Sequence, residues 1–193
     1  MRIIGLCGRK GSGKNVVGTY LETYGYEQVS FAAKLKESAA AVFDINPERF
    51  EVLKNDPDAI ITLGTPDEDI AWLTVRQYLQ RYGTEAHRDV FGYDFWRREL
   101  FTSLPQGTYK KYAITDVRFD DELRAVRERG GKVWRVNRAL PDDGDTHASE
   151  ADPDPALIDG ELFNDGSFEE LYAQVDILVR LEDSLEEVRK WRT

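Results

Sequence analysis

Ile3-Ile4-Gly5-Leu6-Cys7 is an unbroken apolar run, the pattern of a strand buried on both faces. From Lys14 to Tyr24 the apolar positions change period: Val16, Val17, Tyr20, Leu21 and Tyr24 form one helical stripe, with Gly25 as the stop. Tyr26 to Phe31 reads as a second strand. Lys34 to Phe43 reads as a helix through Leu35, Ala39, Val42 and Phe43, and Asn46-Pro47 as the cap and first turn of another reaching Leu53. Residues 55–73 fit neither period. Thr74 is placed to cap a helix from Val75 to Tyr82 that ends at Gly83. Thr84 is placed to cap one reaching Phe91 before Gly92, and Asp94 one reaching Leu104. Tyr109 to Thr115 reads as a strand. Asp120 opens a helix through Leu123 and Val126 that stops at Gly130-Gly131. Lys132 to Asn137 and Glu161 to Phe163 read as strands, and Ser167 caps a final helix. Strands that alternate with helices predict an α/β fold with a mainly parallel sheet and helices on both faces. The helix-rich block 33–104 interrupts that alternation as a large insertion suited to a substrate.

Composition narrows the classes. A chain of 193 residues supports one sizeable core. A formal charge of −10 argues against a protein that coats nucleic acid. The single Cys7 excludes an intramolecular disulfide and any multi-cysteine metal site, and a reducing cytoplasm is the expected location. The first residues do not read as a secretory signal, and no apolar stretch is long enough to span a membrane. The charge is uneven: residues 1–40 hold six Lys or Arg against three Glu, whereas 142–170 hold eleven acids and no Lys or Arg. Pro and Gly punctuate that acidic run, which reads as a solvated loop.

The cationic end carries the chemistry. Gly8-Arg9-Lys10-Gly11-Ser12-Gly13-Lys14-Asn15 fits G-x-x-x-x-G-K between an apolar strand and an amphipathic helix. Backbone N–H groups must curl round a phosphate without Cβ clashes, so Gly8, Gly11 and Gly13 suit the turn, Ser12 lies within it, and the Lys14 ammonium reaches phosphate oxygens. The last position departs from the pattern, because Asn15 stands where a Ser or Thr hydroxyl usually meets Mg²⁺. Its carbonyl oxygen is still a hard ligand, used directly or through water. Asp116, after the apolar run Tyr112-Ala113-Ile114, stands at the strand end where open parallel sheets bind ligands, and is the second candidate for the metal. No N-K-x-D segment of a guanine-reading switch is present.

Four further segments resemble one family in order. Thr74-Val75-Arg76-Gln77-Tyr78-Leu79-Gln80-Arg81-Tyr82-Gly83-Thr84-Glu85, with Phe95-Trp96 beyond, is similar to the V-R-x-x-L-Q-x-x-G-T-E…W signature of phage-type deoxynucleoside monophosphate kinases. Asp116-Val117-Arg118 resembles that family's D-x-R. Asp145-Thr146-His147-Ala148-Ser149-Glu150 resembles its D-T-H-x-x-E, and Asn164-Asp165-Gly166-Ser167-Phe168-Glu169-Glu170-Leu171 its N-D-G-S-L-E-E-L. Asn15-Val16 departs from the Asp-Thr often found there.

The resemblance implies a P-loop kinase three-layer sandwich with a helical monophosphate-binding insertion and a lid. The implied division is a core of 1–31, 109–137 and 157–193, an acceptor-binding region 32–108 and a lid 138–156. It implies transfer of the γ-phosphoryl of ATP, with Mg²⁺, to a deoxynucleoside 5′-monophosphate. Lys36 and Arg76 match positions that hold the acceptor phosphate, and Gln80, Thr84, Arg88, Trp96 and Glu150 join them on the substrate side. Arg118 and Arg138 match arginines near the transferred group, and Asn164 falls where the nucleotide base or its loop is held. The acceptor is an ionised phosphate oxygen, so the reaction needs no general base, and His147 reads as a lid contact. Cations must join two anionic molecules, and arginine's planar fork suits that. The expected partner is a small-molecule nucleotide, with no nucleic-acid polymer and no membrane; monomer and homodimer both stay open. The alternatives are another small-molecule P-loop kinase, of the dephospho-coenzyme A or phosphomevalonate type, and a non-catalytic nucleotide switch.

Overall fold

A computed structural model describes residues 1–63, 71–105, 110–139 and 153–190. The chain divides into two compact units, Met1–Ser30 with Pro105–Thr193, and Phe31–Leu104.

The first unit is built on five strands: β1 (Arg2–Cys7), β2 (Glu27–Val29), β5 (Lys111–Ile114), β6 (Lys132–Asn137) and β7 (Gly160–Phe163). Their order is β2-β5-β1-β6-β7, and every adjacent pair is parallel. The apolar run of β1 therefore occupies the sheet's centre, which is why it shows no polar alternation. Its residues still alternate between faces. Ile4 and Leu6 pack with Val17 and Leu21 of α1 (Lys14–Glu22) and with Leu171, Val175 and Val179 of α8 (Phe168–Lys190). Gly5 faces the other way; a Cβ there would lie 3.1 Å from Val117 and 3.2 Å from Val126 of α7 (Asp120–Glu128). The unit is thus a three-layer α/β sandwich, as the alternation of periods predicts.

Local chemistry explains the helix ends. Ser167 and Glu170 cap α8 reciprocally: the Glu170 N–H donates to Ser167 Oγ, and the Ser167 N–H donates to the Glu170 carboxylate. At α7 the expected opening residue Asp120 is already inside the helix. Glu122 makes the cap instead, accepting from the N–H groups of Arg118 and Phe119.

The second unit contains α2 (Phe31–Ala41), α3 (Pro47–Lys54), the antiparallel hairpin β3 (Ile60–Leu63) and β4 (Ala71–Thr74), and α4 (Val75–Gly83). A π-helical segment Thr84–Arg88, a short α5 (Asp89–Phe91) and α6 (Phe95–Ser103) follow. Ala39, Ala40, Phe50, Leu73, Val75 and Tyr78 form its core. Asn46 caps α3 and Thr74 caps α4, the latter with Gln77 as reciprocal partner.

Two expectations fail here. Thr84 is not a cap and Gly83 is not a stop, because the chain stays helical through Gly83 (φ −72°) into the π-helical turns. Gly83 serves close packing: a Cβ there would lie 2.3 Å from Leu35 Cδ1. Asp94 precedes α6 but makes no side-chain cap, because its carboxylate pairs with Arg97 and Arg98.

Candidate functional site

The turn from β1 to α1 has the geometry of an anion cradle. Gly8, Gly11 and Gly13 have φ of 132°, 79° and 105°, values that side-chain-bearing residues rarely adopt. Space is equally restrictive: a Cβ on Gly8 would lie 2.3 Å from the Val136 carbonyl oxygen, and one on Gly13 would lie 2.4 Å from Asn164 Nδ2. Backbone can therefore approach a ligand here where any larger residue would fill the cradle. The N-terminus of α1 opens into the same turn, presenting its first N–H groups and the positive end of its dipole.

Three side chains complete the cradle. Lys14 Nζ donates to the carbonyls of Gly8 at 2.7 Å and Arg9 at 2.9 Å, which holds the ammonium against the loop. Ser12 is 1% exposed, and its Oγ finds no hydrogen-bond partner among the described residues. A buried hydroxyl without a partner is unfavourable by about 1–3 kcal/mol, so the loop holds a group that a bound oxyanion would satisfy. Asn164, buried after β7, donates from Nδ2 to the Ser12 carbonyl at 2.8 Å and props the loop from beneath. The Asn164 N–H is itself fixed on the Asn137 carbonyl at 2.8 Å.

The remaining expected residues of this unit lie at the same sheet edge. Asp116 and Arg118 follow β5, and the Val117 N–H between them bonds the Leu6 carbonyl at 3.2 Å, which ties that turn to the end of β1. Arg118 is exposed, with its backbone N–H held by Glu122. Arg138, just past β6, reaches back with Nη1 to the Gly11 carbonyl at 3.3 Å. Asn15 is exposed on the first turn of α1. Glu150 and His147, and most of the proposed lid, lie outside the described residues. Cys7 is buried, and burial pushes its thiol up to about 11, so it is core rather than a nucleophile.

The helical unit gathers a second set of cations. Lys36 of α2 pairs with Glu51 of α3 at 3.0 Å, and Lys54, one turn along α3, pairs with the same carboxylate at 2.6 Å. Burial pushes the Glu51 carboxyl upward, but hydrogen bonds from Lys54 and Lys36 outweigh it and hold the group below its ordinary value. Lys54 is pulled down by burial first, and then by the positive charges of Lys36 and Arg76. Three cations from three helices therefore share one field around one carboxylate. Sequence reasoning found Lys36 and Arg76 and missed Lys54 and Glu51. Their i,i+3 spacing on α3 was the available signal, yet it is also the commonest surface pattern.

The other substrate-side residues divide. Arg76, Gln80 and Thr84 are exposed along α4 and the turn after it. Arg88 stacks over the Tyr93 ring at 5.0 Å. Trp96 is 5% exposed, and its Nε1 donates to the Gly83 carbonyl at 3.1 Å, so it locks the π-helical segment in place. His87, also missed, lies 4.4 Å from the Tyr82 ring and 4.8 Å from Trp96, with Nδ1 2.7 Å from the Tyr82 carbonyl oxygen.

Comparison with known proteins bears on these two sets of residues. Residues 56–175 match the family model described as deoxynucleotide monophosphate kinase. A putative deoxynucleotide monophosphate kinase of Acanthamoeba polyphaga mimivirus is 30% identical over 191 residues, covering 91% of this chain and 94% of that one. The deoxynucleotide monophosphate kinase of Enterobacteria phage T4 is 32% identical over 108 residues, covering 53% of this chain and 44% of that one. In structure, TT1252 from Thermus thermophilus superposes with a TM-score of 0.52 at 21% identity, over 93% of this chain and 96% of that one, a likeness of fold.

Proposed function

The chain belongs to the deoxynucleotide monophosphate kinase family, and on that premise we propose how its residues divide the reaction. The protein is a phosphotransferase that moves the γ-phosphoryl of ATP to a deoxynucleoside 5′-monophosphate. The readings as another small-molecule kinase or as a switch are not favoured by these matches.

We assign the donor to the cradle. Its glycine backbone and the N-terminus of α1 take the β- and γ-phosphates, the Ser12 hydroxyl gains the partner it lacks, and Lys14 leaves its loop carbonyls for phosphate oxygens. Arg118 and Arg138 supply charge to the migrating group, where negative charge spreads over the equatorial oxygens. Asn164 is a positioning residue for the loop. The observation that carries this reading is the combination of a buried, partnerless Ser12 hydroxyl with a Lys14 ammonium held against the same loop.

The acceptor falls to the helical unit 31–104. Lys36, Lys54 and Arg76 bind its phosphate, a dianion that displaces Glu51 from the two lysines. Gln80, Thr84 and Arg88 line the acceptor's nucleoside, and Glu150 joins them. Trp96 acts through the shape of the Gly83 segment.

Mg²⁺ fits the donor set. Asn15 offers a neutral carbonyl oxygen and Asp116 a carboxylate, hard ligands for an ion that keeps several waters. When bound, the ion offsets charge on the donor's phosphates. Among the described residues no helix is long and apolar enough to cross a membrane. A cytoplasmic location is proposed from the single buried Cys7.

A coupled ADP-release assay tests the assignment, run with dAMP, dGMP, dCMP, dTMP and their ribose analogues, each with and without Mg²⁺. The expected result is Mg²⁺-dependent release with at least one deoxynucleotide. Release that proceeds without any acceptor, or equally without Mg²⁺, would refute it.

A further inference from the structure

The last helix has two apolar faces, and the sheet uses only one. Leu171, Val175 and Val179 are buried against the strands. On the opposite side Ile177, Leu181, Leu185 and Val188 are 58%, 53%, 49% and 52% exposed. Their spacings of four, four and three residues put them on one stripe of the C-terminal half of α8, about 17 Å long. One exposed leucine is ordinary, but four large side chains in register mark a contact surface. The chain's own undescribed segments are poorly made to cover it. Segments 64–70, 106–109, 140–152 and 191–193 bring one bulky apolar side chain each: Ile70, Tyr109, Leu140 and Trp191.

We propose that this stripe pairs antiparallel with the same stripe of a second copy of the chain. The charges beside it are self-complementary in that orientation. Arg180 and Glu187 are both exposed and lie seven residues apart on one flank of the stripe. Seven residues are two turns, so the two do not meet within one helix. An antiparallel mate centred near residues 182–183 sets Ile177 beside the second copy's Val188 and Leu181 beside its Ser184. The same register brings Arg180 next to the second copy's Glu187, and symmetry makes that pair twice. A parallel mate would set Arg180 against the second copy's Leu185 and leave the charges without partners. The small Ser184 lies close to the two-fold axis and permits near approach of the helices.

The neighbouring sheet edge argues for helix docking over strand addition. β7 is an outer strand, but Gln174 of α8 covers its backbone. The Gln174 side chain accepts from the Phe163 N–H at 2.8 Å and donates to the Phe163 carbonyl at 2.9 Å. A strand added there would first have to displace that amide. The patch, three turns on each copy, is small among specific interfaces, so dissociation on the order of micromolar is expected.

Sedimentation equilibrium of the full chain, from low micromolar to several hundred micromolar, tests the pairing independently of the kinase assignment. The expected mass rises with concentration from one chain to two. Leu181→Glu should weaken association at least about tenfold. Arg180→Glu and Glu187→Arg should each weaken it, and the double reversal should restore it, with helix content and kinase activity unchanged in all four. A single-chain mass throughout, an unaltered dissociation constant in Leu181→Glu, or a double reversal no tighter than the single ones would overturn the proposal.

Discussion

The cradle and the cation cluster both handle phosphate, yet they are made differently. The cradle is made of backbone: three glycines at positive φ, a helix N-terminus and one buried amide that holds the Ser12 carbonyl. It needs no neighbouring cation to keep its form. The cluster is made of long side chains from α2, α3 and α4, and it holds its form only because Glu51 offsets like charges. A backbone site is rigid and intolerant; a side-chain site is adjustable and tolerant. Mutations in the first should therefore act as near-complete losses, and those in the second as graded shifts.

Lys14→Ala should have the largest effect. The ammonium strengthens its contacts as the γ-phosphoryl departs, so turnover should fall on the order of 10³-fold with the fold intact. Steady-state rates with circular dichroism check this; turnover within threefold of wild type would show that the loop is not the donor site. Asn164→Ala comes next. It removes a buried hydrogen bond to the Ser12 carbonyl, for a stability loss of about 1–2 kcal/mol and a raised KM for ATP. Denaturant unfolding separates the two effects. An unchanged ATP KM would mean that the loop holds its shape without the amide.

Arg76→Lys and Arg118→Lys sharpen the contrast between the two regions. Both keep charge and lose the planar fork. Arg76 contacts the acceptor in ground and transition states alike, so its variant should raise the monophosphate KM about tenfold with little change in kcat. Arg118 acts on the migrating group, so its variant should lower kcat by about the same factor. Equal shifts in both constants for both variants would break the comparison.

The same contrast explains what could be read from the chain. Strand, glycine loop and helix from Arg2 to Glu22 are contiguous, so the period change at Gly8–Gly13 and the residue types announce them. The hairpin β3–β4 was missed because its strands are four residues each, and Ile60 and Trp72 are exposed, which erases alternation. Its pairing is non-local and leaves no period. Gly83 illustrates an ambiguity of type: the residue that usually ends a helix is required here by Leu35 and by the Trp96 bond to its carbonyl. The acceptor-side cations show a third limit. Lys54 and Glu51 look like an ordinary surface pair in sequence, and only the arrival of Lys36 and Arg76 from other helices gives them meaning.

Glu51→Gln should have the smallest effect and is the most discriminating. The carboxylate occupies the two lysines that the acceptor phosphate requires, so it competes with substrate. Its carboxyl is held below the ordinary value, so it stays ionised, and the competition persists, throughout the neutral range. The stabilisation from a lowered carboxyl is present above the unfolded value and is lost as pH falls through the folded one. Wild type should lose that part of its stability on acidification, and the Gln variant, which never had it, should show a shallower acid limb. Because Glu51 is 43% exposed in its side chain, the difference should be only a few tenths of a kcal/mol. Near neutrality the variant's amide no longer competes, and the monophosphate KM should fall about twofold to fivefold while kcat holds. Thermal melts from neutral to acid pH and monophosphate titrations measure the two consequences separately. A raised KM in the variant would show that Glu51 organises Lys36 and Lys54 for the acceptor rather than contending with it, and the cluster would then be as preorganised as the cradle.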